Sequence, residues 1–101
     1  MKGPIVELSV VPLGTGSTSV SRYVRIAHEI IRGSGLDYEL TPMGTCLQGD
    51  WDTIFATVKR IHERLAELGC GRISTSIKID DRRDKDRPMR DKVRRVTEPD
   101  R

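Results

Sequence analysis

At 101 residues, 36% hydrophobic and 33% charged, the chain is one domain with one core and no room for a deep internal cavity. No run approaches the roughly 20 apolar residues of a membrane span, and the N-terminus lacks a signal peptide's apolar stretch and cleavage site, so the expected setting is cytoplasmic. The net charge of +3 averages two unlike parts: residues 1–81 carry nine Lys/Arg against ten Asp/Glu, and residues 82–101 nine against five.

Ile5 to Leu13, rich in β-branched and apolar residues, reads as a strand with Pro12 near its end. Gly14-Thr15-Gly16-Ser17-Thr18 is a loop offering several N-caps. From about Ser19 to Arg32, Val20, Val24 (with Tyr23), Ala27 and Ile30/Ile31 recur at helical spacing. Gly33-Ser34-Gly35 stops that helix. Asp37 to Thr41 is a second strand and Met43 to Gln48 a third, with Pro42 marking a turn or an edge position between them. Asp50 caps the next helix, and with Asp52 it places negative charge at the helix's positive end. Ile54, Val58, Ile61, Leu65 and Leu68 form one buried stripe closed by Gly69. In the fourth strand, Arg72 to Asp80, Ile73, Thr75, Ile77 and Ile79 alternate with Arg72, Ser74, Ser76 and Lys78. Residues 82–101 lose the pattern and read as a basic, charge-rich tail, solvated or tied down by a neighbouring subunit. Within it Pro88 to Val96 offers a short basic helix anchored only by Met89, Val93 and Val96.

The order strand–helix–strand, strand–helix–strand, with short right-handed connections, predicts an α+β fold over residues 1–81. This is the ferredoxin-like βαββαβ sandwich: a four-stranded antiparallel sheet with both helices on one face. Val6, Leu8 and Val10 then face the helices, while Ile5, Glu7, Ser9 and Val11 share the open face with Ser74, Ser76 and Lys78. That mixed surface calls for cover by self-association, a dimer or a tetramer through sheet faces and edges.

Candidate chemistry is sparse. His28 and His62 are read as helix-face histidines without a nearby nucleophile, and Cys46 and Cys70 as reduced thiols. No ligand spacing supports a metal, no cofactor is called for, and no acid/base or nucleophile pair can be named, so an enzyme is not expected. Gly14-Thr15-Gly16-Ser17 lacks both the P-loop lysine and the dinucleotide fingerprint. Trp51 stands either as a stacking surface for a flat ligand or as a hydrophobic plug. Thr41, Thr45, Ser9 and Ser74 supply polar contacts for a heterocycle, and Glu7 and Glu39 are either partners for a cationic ring or solvated strand charges.

Val10-Val11-Pro12-Leu13-Gly14 followed by Ser19-Val20-Ser21-Arg22-Tyr23-Val24 resembles the small thiamine-binding domain proteins related to YkoF. So do Thr41-Pro42-Met43-Gly44-Thr45 with Gly49-Asp50, and the closing Arg72-Ile73-Ser74-Thr75-Ser76-Ile77-Lys78-Ile79-Asp80-Asp81-Arg82. The resemblance covers residues 4 to 87. It implies a ferredoxin-like subunit that assembles into dimers and tetramers and binds thiamine or its hydroxymethylpyrimidine moiety without transforming it. Gln48 departs from the acidic residue that the resemblance leads one to expect, which removes a carboxylate contact there. On this implication Ser9, Thr41 and Thr45 hydrogen-bond the aminopyrimidine, Trp51 provides an apolar wall, Glu7 or Glu39 offsets the thiazolium charge, and Ser74 is the matching strand-four position. Two rivals stand: a nucleic-acid binder using the basic tail, and a purely structural or regulatory assembly subunit. The first is disfavoured because the body has no basic face and the sheet lacks exposed aromatic pairs for base stacking.

Overall fold

The computed structural model describes residues 2–99. In chain order they form β1 (Ile5–Leu13), α1 (Ser21–Arg32), β2 (Asp37–Thr41), β3 (Gly44–Gln48), α2 (Trp51–Glu67), β4 (Arg72–Asp80) and α3 (Arg90–Thr97). The sheet order is β2-β3-β1-β4 with every neighbouring pair antiparallel. This is the ferredoxin-like topology that the alternating elements predict. It arises because each strand–helix–strand crossover skips one position, which the other half fills.

Strand alternation sets the two faces. Val6, Leu8 and Leu47 are buried beneath α1 and α2, where they meet Ala27, Ile31, Ile54, Val58, Ile61 and Leu65. The α2 stripe follows from spacings of three and four, joined by buried Thr57, whose hydroxyl donates to the Thr53 carbonyl at 2.7 Å. Asp50 caps α2 as its residue type dictates, accepting from the Thr53 amide and hydroxyl, each at 2.9 Å. The start of α1 is different. It begins at Ser21 with Val20 at the cap and no side-chain cap bond, and Ser17 and Ser19 bond within the loop instead.

The C-terminal segment departs from the expectation of a solvated or partner-held tail: it docks on its own chain. Asp37, Gln48, Ile5 and Asp80 form one cross-strand row at the end of the open face. Arg90 grips Asp37 with contacts of 2.6 and 2.7 Å, and Lys92 pairs with Asp80. Between them the fully buried amide of Gln48 accepts from the Met89 amide at 2.6 Å and donates to the carbonyls of Arg87 (2.7 Å) and Gly3 (3.0 Å). Gly3 is required here, since a side chain would meet the Gly49 carbonyl oxygen at 2.2 Å. Of the three apolar residues in this segment only Met89 is buried; Val93 and Val96 are exposed. The docking is therefore polar, through a side chain whose partners lie about 40 residues away in sequence.

Candidate ligand site

Unequal strand lengths create a notch. β1 and β4 pair over nine residues each, from Ile5↔Asp80 to Leu13↔Arg72, whereas β3 stays beside β1 only from Ile5↔Gln48 to Leu8↔Thr45. From Ser9 onward, β1 therefore has no strand on that side. The β2–β3 hairpin closes there in a tight turn. The Thr41 hydroxyl donates to the Gly44 carbonyl at 3.0 Å and accepts from the Met43 amide at 3.3 Å. Gly44 permits the approach to β1, since a side chain would meet the Leu8 carbonyl oxygen at 2.6 Å.

The resulting cavity, about 210 Å³, lies between Ser9–Val11 of β1, the hairpin tip and the face of α1 that carries Val24 and His28. Thr45 is buried on the helix-facing side, in register with Leu8, while Ser9 and Thr41 lie on the open-face parity; the three meet because the notch sits at the edge where the two faces join. Four exposed apolar residues of its lining, Val11, Val24, Leu40 and Met43, leave an uncovered hydrophobic surface.

His28, read from the sequence only as a helix-face histidine, is one of the lining residues. Its ring meets Tyr38 edge-on at 5.6 Å, and its Nδ1 is buried with no hydrogen-bond partner among the described residues. A buried ring nitrogen left unpaired costs about 1–3 kcal/mol. The signal was present in the spacing, because His28 stands four residues after Val24 on the stripe that faces the sheet. His62 differs: its Nε2 is already engaged with the Thr75 hydroxyl at 2.5 Å.

The remaining candidates fall elsewhere. Glu7 and Glu39 flank Cys46 in one open-face row, Glu7↔Cys46↔Glu39. Burial, and then the two carboxylates, push the Cys46 thiol up, which keeps it protonated near neutrality. Both glutamates are exposed, one step down the same face from Ser9 and Thr41. Ser74 is exposed on β4, opposite Val11. Trp51 lies beyond the far end of β3, at the start of α2, where it stacks on Phe55 with centroids 6.0 Å apart and planes 3° apart. The structure thus gathers Ser9, Thr41 and Thr45, places Glu7 and Glu39 next to them, and sets Trp51 apart.

Among the described residues no cluster of His, Cys, Asp and Glu could hold a metal, and no helix is long and apolar enough to cross a membrane.

Comparison with known proteins places this chain in a family. The family model described as thiamine-binding protein matches residues 6–97. The UPF0045 protein of Methanothermobacter thermautotrophicus is 48% identical over 93 residues, covering 91% of this chain and 94% of that one. YqgV of Bacillus subtilis is 38% identical over 96 residues, covering 91% and 92%. The crystal structure of the hypothetical protein MJ1052 of Methanocaldococcus jannaschii superposes with a TM-score of 0.86 at 36% identity, covering 98% of this chain and all of that one. A Thermotoga maritima protein, TM0486, described with a proposed role in thiamine biosynthesis or salvage, superposes with a TM-score of 0.77 at 25% identity over 92% and 97%. The chain belongs to the thiamine-binding protein family.

Proposed function

We propose that this protein binds thiamine, or its hydroxymethylpyrimidine part, without chemistry, holding the pyrimidine ring in the hairpin-end notch. The observation that carries this reading is the unpartnered, buried Nδ1 of His28 on a wall shared with Ser9, Thr41 and Thr45. An aminopyrimidine offers an exocyclic amino donor and ring-nitrogen acceptors. A neutral imidazole nitrogen accepts the first, and hydroxyls satisfy either. The family's description as thiamine-binding supports the same ligand class.

The volume bears on assembly. At about 210 Å³ the notch is smaller than the roughly 300–1,000 Å³ of drug-sized ligand sites, so it takes one ring and leaves the rest of thiamine outside. Glu7 and Glu39, about 7 Å further along the same face as Ser9 and Thr41, offset the thiazolium charge, and Ser74 lies on the floor beside Val11. A second copy of the chain covers the exposed ligand and the apolar rim, giving a cytoplasmic homo-oligomer, a dimer or a tetramer. Trp51 with Phe55 serves that assembly and does not touch the ring.

Isothermal titration with thiamine and with hydroxymethylpyrimidine tests the reading. Heat with either is expected at about 100 μM protein, a level suited to weak affinities; no heat with both overturns it. His28→Phe should weaken pyrimidine binding about tenfold, the value of one hydrogen bond to a buried group, at an unchanged or raised thermal midpoint. Unaltered affinity removes His28 from the site. The exposed Trp51–Phe55 stack favours a second reading, a purely structural assembly subunit. Loss of oligomers in Trp51→Ala, together with absent ligand heat in the parent chain, would favour it.

A further inference from the structure

The opposite end of the sheet holds a second concavity, about 280 Å³, enclosed by the start of β1, the end of β4, the 82–88 segment and α3. Its apolar walls are Ile5 and Pro88, and five cations line it: Arg82, Lys85, Arg87, Lys92 and Arg95. Two of these are neutralised, Arg82 by Asp84 at 2.8 and 3.1 Å and Lys92 by Asp80. The second lining carboxylate, Asp91, is taken by Arg94 at 2.7 Å. Lys85, Arg87 and Arg95 make no side-chain hydrogen bond or ion pair among the described residues. Both lining carboxylates are thus occupied, and three positive charges remain around one cavity.

We propose that this cleft is a second binding site, for a small dianion of the phosphate monoester class. Three unpaired cations around one concavity repel each other, and a bound dianion relieves that repulsion while accepting charge-assisted hydrogen bonds from Arg87 and Arg95. Ile5 and Pro88 give an organic substituent an apolar surface. The volume, at the lower edge of ordinary ligand pockets, admits a phosphate with a small group and not a polymer. The charge asymmetry of the chain agrees, since the whole positive excess lies in residues 82–101. The site is separate from the notch: Ile5 and Ser9–Val11 are four to six residues apart on one strand, roughly 13–20 Å at the rise of a β-strand. Its failure therefore leaves the pyrimidine reading untouched.

Calorimetric titration of the full chain with phenyl phosphate, inorganic phosphate and a single-stranded oligonucleotide, at about 0.15 M salt, tests it. Phenyl phosphate is expected to bind in the millimolar range or tighter. The double variant Arg87→Ala/Arg95→Ala should weaken it about tenfold or more, with the pyrimidine titration unchanged. Equal affinity for inorganic phosphate keeps the dianion site and identifies free phosphate as its ligand. Should the double variant lower the thermal midpoint, Lys85→Ala carries the same test, with a severalfold loss expected. Three results overturn the proposal. They are no heat at about 5 mM phenyl phosphate, equal binding by parent and variants, or oligonucleotide binding that tightens with length and exceeds the monoester, which assigns the cations to nucleic acid.

Discussion

The two ends of this sheet are built from the same strands and held by opposite means. On the helix-covered face α1 and α2 pack apolar stripes on Leu8 and Leu47, and at the hairpin end the notch is lined by hydroxyls, an imidazole and exposed aliphatic groups. At the other end, α3 is tied to the row Asp37–Gln48–Ile5–Asp80 by one buried amide and two ion pairs, and the adjoining cleft is cationic. Apolar packing is non-directional and tolerates an irregular edge, so it can leave a notch with a neutral polar lining. Polar docking demands specific partners, and it leaves surplus charge wherever partners run out.

The contrast can be broken from either side. Ile61→Ala, at a fully buried position of the α2 stripe, should cost about 2–5 kcal/mol and lower the denaturant midpoint of the sheet with α1 and α2, since all four strands and both helices pack on that core. Gln48→Leu is more selective. It leaves the Gly3 and Arg87 carbonyls and the Met89 amide without their partner, about 2–4 kcal/mol in all. It should speed hydrogen exchange and proteolysis in residues 86–97 while α1 and α2 stay protected; uniform loss of protection would mean that α3 belongs to the same cooperative unit. The smallest effect is that of pH. The Arg90 guanidinium holds the Asp37 carboxyl below its ordinary value of 3.8, and Lys92 does the same for Asp80. A carboxyl lowered in the folded state contributes stability above its unfolded value and loses it as pH falls through the lowered one. Exchange in α3 should therefore quicken selectively below about pH 4, ahead of the helices over the core. No difference between the two ends would show that the ion pairs contribute nothing to the docking.

How legible the molecule was depended on the kind of interaction. The α2 stripe, the Asp50 cap and the alternation of β4 are local, with periods of 3.6 and 2, and they appear in the chain as written. His28 was half legible: its spacing from Val24 puts it on the buried side of α1, but its orphaned nitrogen becomes visible only when β1 and the hairpin tip stand opposite. Ser9, Thr41 and Thr45 were read as polar contacts for a heterocycle, and their meeting depends on β3 starting only at Gly44 while β1 runs on to Leu13. Trp51 looked adjacent to them because it follows closely in sequence, yet one strand length carries it to the other end of the sheet.

By itself the sequence determined the element order, the two helices that cover the sheet, the α2 cap and a neutral body with a basic end, because propensity, periodicity and formal charge are properties of neighbouring residues. Only the tertiary structure decided that residues 82–99 return to their own sheet, that Gln48 is their anchor, and that two separate cavities open at opposite ends of β1. Those outcomes rest on hydrogen bonds and register between residues about 40 or more apart. At such separations no local pattern in the chain says which donor will find which acceptor.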